Sequence, residues 1–335
     1  MDFAQAEKPG ETDAATFFES AVVWDNHSGF MPDPAAALEN LSIWKNAGGS
    51  HLSINVGFDL MPWQDCITTL SAFRRWLLDR PTRFILASTA TDVRRAKAEG
   101  KMSVTFDLEG MNALNERLDM VSLYHHLGVK QMLFAYNRNN AAAGGCHDED
   151  TGLTAFGRGV IDEMNRLGMF VDVSHCGYRS SMEVMEYSGS PVIFSHSNPA
   201  ARWKHGRNIS DEQIRACAAT GGVIGAVGVS LFLGERPSAE LFADHVEHLI
   251  QVAGPKHVGI GLDYGFPVDV DVSEIVAANP QFWPTSEGYH GRIDFLAPSI
   301  LRPLADILLR RGHSEKDVRG VLGENFLDLA ERLWR

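Results

Sequence analysis

Short apolar runs rich in β-branched residues alternate with longer stretches of helical periodicity along the whole chain. The runs are Ala21–Trp24, Leu52–Gly57, Met102–Asp107, Gln131–Ala135, Met169–Val173, Val192–Ser195, Gly222–Val227 and Val258–Leu262. Several are almost wholly apolar, as strands covered on both faces of a parallel sheet must be. The intervening stretches predict helices over Pro34–Ala47, Cys66–Asp79, Leu118–Leu127, Thr154–Leu167, Arg179–Tyr187, Asp211–Thr220 and Ala239–Ala253. The tail, Pro298–Arg335, predicts two helices broken near Gly312-His313-Ser314.

Local signals agree with this division. Ser210 followed three residues later by Gln213 predicts a capping box. Gly128, Gly168 and Gly221 each close a helical stretch just before a strand, where a C-terminal glycine belongs. Strands alternating with helices make a parallel sheet with crossover helices. Eight repeats favour a single closed (β/α)8 barrel, with an open doubly wound sheet as the alternative that periodicity alone leaves. The expected organisation is one domain over 1–335, with a polar extension over about 1–20 and C-terminal helices from about 298. No glycine-rich dinucleotide turn, phosphate loop or fixed-period repeat is present.

Composition narrows the partners. The 335 residues carry 30 Lys and Arg against 43 Asp and Glu, a formal net charge of −13. An acidic chain lacks the cationic face that nucleic acids or anionic membranes require. Cys66, Cys146, Cys176 and Cys217 are scattered and form no Cys-x-x-Cys pair, so free thiols are expected. The polar, acidic start and the absence of a long apolar run lead us to expect a cytoplasmic protein.

Polar and ionisable residues gather just past the expected strands. Asp25 and His27 follow the first, Glu109 the third, Tyr136 and Asn137 the fourth, His175 the fifth, His196 the sixth and Asp263 the eighth. In a barrel these ends face one mouth. One carboxylate with two or three imidazoles there is a zinc-type ligand set. A single strand-end histidine is ordinarily a hydrogen-bonded core or rim residue; three at equivalent positions, with Glu109 and Asp263, reverse that reading. Glu109 ends a run that otherwise reads as buried strand, and a nearby cation is the economical partner for a buried carboxylate. Asp107, two residues earlier on the same side, is expected to be structural. His245 and His248 are read as surface, His125 and His126 as packing or rim, and His147-Asp148-Glu149-Asp150 as a solvated loop.

A set of ordered segments then carries a resemblance. They are Asp25-Asn26-His27, Asp107-Leu108-Glu109-Gly110, Val171-Asp172-Val173-Ser174-His175, Pro191-Val192-Ile193-Phe194-Ser195-His196-Ser197, His205-Gly206-Arg207-Asn208-Ile209, Gly259-Ile260-Gly261-Leu262-Asp263 and Gly323-Glu324-Asn325-Phe326. In this order, from about Val22 to the tail, the chain resembles the membrane dipeptidase (renal dipeptidase) family, the M19 metallopeptidases. Their fold is a TIM barrel of the metallo-dependent hydrolase, amidohydrolase-like kind. The resemblance implies a zinc pair: His27 on one ion, Glu109 bridging, His175 with His196 on the other. It implies Asp263 as the acid/base and Arg207 as the grip on the substrate's terminal carboxylate, a task suited to a forked guanidinium.

Two positions depart from the family pattern. The first motif is histidine, any residue, aspartate, and here it reads His27-Ser28-Gly29, which leaves the ion nearest the first strand one side-chain ligand short. Tyr136 stands where the family usually has a histidine directed at the substrate carbonyl; its hydroxyl donates a hydrogen bond to an oxyanion without an imidazolium's charge. The resemblance implies a zinc-dependent hydrolase of a dipeptide or related small amide, with one or two ions, and a homodimer. The lost aspartate keeps two alternatives open: a one-metal lyase or decarboxylase on the same barrel, and a non-catalytic ligand-binding descendant. Specificity is expected from the loops Phe58–Trp63, Asn137–Thr151, Ser230–Arg236 and Phe266–Gly291, the last holding Trp283 and Tyr289 as a lid or a subunit contact.

Overall fold

A computed structural model describes residues 14–29, 38–234, 236–265, 273–290 and 293–335. Its strands are β1 (Trp24–Ser28), β2 (His51–Phe58), β3 (Phe84–Leu86), β4 (Met102–Glu109), β5 (Val129–Leu133), β6 (Phe170–Asp172), β7 (Val192–Ile193), β8 (Ile224–Ala226) and β9 (Val258–Ile260). All pair in parallel, in the order β7-β6-β5-β4-β2-β1-β9-β8. Phe194, just past β7, bridges Ile224 of β8 and brings the two ends of that order together. The result is a nearly closed eight-stranded (β/α)8 barrel, as the alternation predicts.

β3 is the one strand the pattern does not predict. It pairs with Met102–Val104 of β4, and β5 takes over the same strand from Phe106 onward. The strand is three residues long and half-buried on two of them, so it carries neither an apolar run nor an alternation. The helix that follows, Ala90–Ala98, is not among the helices the periodicity predicts; Thr89 and Asp92 give it a full capping box. The expected box of Ser210 and Gln213 is present, and Gly128, Gly168 and Gly221 all take left-handed backbone at helix ends.

β1 starts three residues later than its apolar run and continues through Asp25, Asn26, His27 and Ser28, all buried. Asp25, Asn26 and Ser28 find hydrogen-bond partners inside the barrel. Asp25 accepts from Trp44 Nε1 and from the Leu262 amide, both at 2.8 Å, and Asn26 Nδ2 donates to Gln131 Oε1 at 2.9 Å. A strand that is polar within and satisfied by hydrogen bonds is indistinguishable from a loop by hydropathy alone.

The tail forms Leu301–Arg310, Glu315–Arg319 and Asn325–Leu333. It breaks at the expected place and again at Gly323. Phe326 and Trp334 pack on Trp24 and Phe170. His245, read from the sequence as surface, is fully buried and faces the Leu233 carbonyl at 2.9 Å; its neighbour His248 pairs with Asp211 at 2.8 Å. All four cysteines are free. No helix among the described residues is long and apolar enough to cross a membrane. Of the expected helix Pro34–Ala47, residues 34–37 lie outside the described residues, and the rest is a 3-10 turn, Leu38–Leu41, followed by a helix, Ser42–Asn46. The expected extension over 1–20 lies mostly outside them too; Ala14–Ser20 form a helix, and Phe17 and Phe18 are buried.

Candidate metal centre

Three strand ends bring an imidazole to one carboxylate oxygen at the end of a fourth. Glu109 Oε1, at the end of β4, lies 3.3 Å from His27 Nε2, 3.2 Å from His175 Nε2 and 3.5 Å from His196 Nε2. Asp263 Oδ1, just past β9, lies 3.5 Å from His27 Nε2. Single ligand atoms of His27, Glu109 and His196 fit within 4.8 Å of one another, close enough to share a cation. The described structure thus assembles His27, Glu109, His175, His196 and Asp263 in one place.

The backbone bends to aim them. Asn137, His175 and Asp263 hold positive φ angles of 59°, 65° and 55°. A residue other than glycine persists in that region only where its surroundings over-determine it. Here the turns lie a few residues past the ends of β5, β6 and β9. Gly110 serves the same end: its φ is +100°, and a Cβ there would stand 2.1 Å from the Asp59 carboxyl carbon. That carboxylate accepts from the Asn112 and Tyr136 amides and from Asn140 Nδ2, tying the ends of β2, β4 and β5 together beside Glu109.

Outer contacts set which nitrogen of each ring faces inward. Asp107 takes hydrogen bonds from Ser53 Oγ and Asn55 Nδ2 and lies 3.2 Å from His27 Nδ1, leaving Nε2 toward Glu109. It is the structural carboxylate expected, and from behind the ring it fixes the orientation of a candidate ligand. His175 Nδ1 lies 2.6 Å from Asn137 Oδ1, and His196 Nδ1 lies 2.8 Å from Ser195 Oγ. Neither His27 nitrogen makes an aligned hydrogen bond despite its close carboxylates, and two unpaired buried nitrogens are costly unless a cation takes one. A divalent ion bound by nitrogen and carboxylate fits this donor set.

The charges are strongly perturbed. Burial acts to push the His27 imidazolium down, but Asp107 and Glu109 outweigh it and hold it well above the usual histidine range. Burial lowers His175 to about 3, with Arg207 adding to it, and drives His196 well below its usual range. Burial raises Asp263 well above the carboxylate range; His27 opposes this and Glu109 reinforces it. Sites that must move protons near neutrality are built with such displacements.

Tyr136 and Arg207 border the centre. The Tyr136 ring stacks on His175 with centroids 4.4 Å apart, and its hydroxyl accepts from Trp283 Nε1 at 3.2 Å. Arg207 is 2 % exposed, donates from Nη2 to the His196 carbonyl at 3.1 Å, lies over the Phe232 ring and has no partner at Nε. At Gly29, a Cβ would meet, among the described residues, Asp263 Oδ1 at 3.5 Å and Gly265 Cα at 4.0 Å, which is ordinary contact. The sequence flagged Asn137 only by its place after a strand; its double role emerges from contacts with residues far along the chain.

The sequence profile of the membrane dipeptidase family, peptidase family M19, matches residues 2–282. The chain belongs to this family. An uncharacterised dipeptidase of Schizosaccharomyces pombe is 29% identical over 246 residues, 70% of this chain and 53% of that protein; the chain thus spans about half the length of that curated relative. Among solved structures, an amidohydrolase from Pseudomonas aeruginosa is 27% identical with a TM-score of 0.85, covering 96% of this chain and 99% of that one. A metallopeptidase from Rhodobacter sphaeroides, liganded with a phosphinate mimic of the dipeptide L-Ala-D-Ala, shares the fold at 23% identity and a TM-score of 0.76, covering 94% and 99%. Members of this family are metallopeptidases, in keeping with the His-Glu-His cluster at the barrel mouth.

Proposed function

We propose that the chain is a zinc-dependent dipeptidase, hydrolysing a dipeptide or a closely related small amide. The observation that carries this reading is the convergence of three imidazole Nε2 atoms within 3.5 Å of Glu109 Oε1. His175, His196 and Glu109 would hold one ion; His27 and Glu109 would hold a second, with no side-chain ligand from Gly29. Zinc in such a site supplies Lewis acidity toward a carbonyl and makes water a better nucleophile near neutral pH.

The protein's own groups divide the remaining work. Arg207, buried and with Nε unpaired, grips the substrate's terminal carboxylate and fixes the scissile carbonyl beside the histidines. Tyr136 already accepts a hydrogen bond from Trp283, so its own proton is left to donate to the oxyanion. Burial, with Glu109 adding to it, keeps that phenol well above its usual range and therefore protonated. Asp263 takes a proton from the attacking water as the C–O bond forms. It returns that proton to the leaving nitrogen as the C–N bond breaks.

The test is metal quantification on the purified protein together with product analysis on a dipeptide panel. The proposal expects bound zinc, one new amine per bond cleaved and loss of turnover on chelation. Released carbon dioxide without a new amine would favour a lyase. No zinc, with no turnover after zinc addition, would favour a ligand-binding descendant.

A further inference from the structure

We infer that Asn137 is a positioning residue that ties the orientation of His175 to the seating of residues 281–283; this rests on His175 being a metal ligand, as proposed above. Three consecutive residues after β5 hold three consecutive residues of the distant segment in reverse order. Tyr136 OH accepts from Trp283 Nε1 at 3.2 Å, Asn137 Nδ2 donates to the Phe282 carbonyl at 2.9 Å, and Arg138 Nη1 donates to the Gln281 carbonyl at 3.4 Å. Two of these three also grip His175. The Tyr136 ring stacks on it, and Asn137 Oδ1 meets its Nδ1 at 2.6 Å.

The chemistry of the amide links the two ends. A carbonyl oxygen only accepts, so Phe282 fixes which end of the Asn137 amide faces the segment: it must be the NH2 group. Oδ1 is thereby directed at His175. An oxygen there also only accepts, so Nδ1 carries the proton and Nε2 presents its lone pair to His196 Nε2, 2.8 Å away. Asn137 is fully buried and its φ of 59° suits asparagine, so the amide has neither solvent nor backbone freedom with which to turn over. A segment 145 residues away thus selects the tautomer of a metal-facing histidine.

Two variants separate the two ends of the amide. Asn137→Asp keeps the acceptor toward His175 and sets an oxygen against the Phe282 carbonyl. Asn137→Gly removes the whole amide and remains at ease with positive φ. The readouts are 15N NMR of labelled imidazoles, which reports the His175 tautomer, and amide hydrogen exchange over 279–283, with thermal melting as a check on folding. In Asn137→Asp, His175 keeps its proton on Nδ1 while exchange over 279–283 accelerates about tenfold, the weight of one lost hydrogen bond. In Asn137→Gly, exchange accelerates likewise and His175 becomes a tautomer mixture. Unchanged exchange in Asn137→Asp, or an unchanged His175 tautomer in Asn137→Gly, overturns the inference. If Asn137→Gly does not fold, the exchange result for Asn137→Asp decides. Neither readout needs zinc or turnover, so a chain that binds no zinc refutes the dipeptidase reading separately.

Discussion

The Nε2 atoms of His175 and His196 face each other at 2.8 Å. Asn137 keeps the His175 proton on Nδ1, so His175 brings a lone pair to this contact. Two arrangements satisfy His196. With no cation between the rings, His196 carries its proton on Nε2 and the Ser195 hydroxyl donates to Nδ1. With a cation, both Nε2 atoms turn lone pairs to it and His196 Nδ1 donates to Ser195 Oγ, 2.8 Å away.

Zinc addition to chelator-stripped protein should therefore move the His196 proton from Nε2 to Nδ1 and leave His175 unchanged. Imidazole 15N shifts measure this directly. A His196 tautomer that ignores zinc would remove His196 from the ligand set.

Asp263→Asn should lower turnover by about a hundredfold to ten-thousandfold, the usual weight of a general acid/base. Zinc content should stay near the parent value, because Glu109, His175 and His196 are untouched. Full activity in this variant would take the proton-carrying role away from Asp263.

Gly29→Asp places a carboxylate next to Asp263. The expected result is a gain of about one tightly held zinc ion per chain, because the added carboxylate supplies the side-chain ligand that Gly29 lacks. In excess chelator the same variant should melt earlier than the parent, since two buried carboxylates then face each other. Plasma emission spectrometry and thermal melting provide the two measurements.

His51 offers a pH prediction away from the centre. Its ring lies between the Ser103 and Thr105 hydroxyls and against Trp24, and burial lowers its pKa from 6.5 to about 3. Between those values the unfolded chain binds a proton that the folded chain refuses. Stability from this residue is therefore complete above 6.5 and is lost as pH falls toward 3. In His51→Gln, urea titrations across that range should show about one fewer proton taken up on unfolding. An identical pH slope in the variant would mean that other buried groups dominate.

The barrel was legible because its strands are apolar and its helices periodic. Where the sequence reading failed, the cause was local. Asp25-Asn26-His27-Ser28 looks like a loop until one sees Trp44, Leu262 and Gln131 supplying its partners from far along the chain. Phe84–Leu86 is too short to carry a pattern. The candidate ligands were legible because strand ends share a mouth. The link from Phe282 through Asn137 to His175 was not, since it depends on which way one amide faces, and nothing in local composition records that.

The shortest wall of the barrel has a bearing on all of this. β7 is two residues long, and its hold on β8 runs through Phe194, which donates to the Val223 carbonyl and accepts from Gly225. His196 comes two residues after that bridge. A cation gripped by Glu109, His175 and His196 would clasp β4, β6 and the end of β7 beside the point where the ring closes. Loading the site would then register as resistance to unfolding before any substrate arrived.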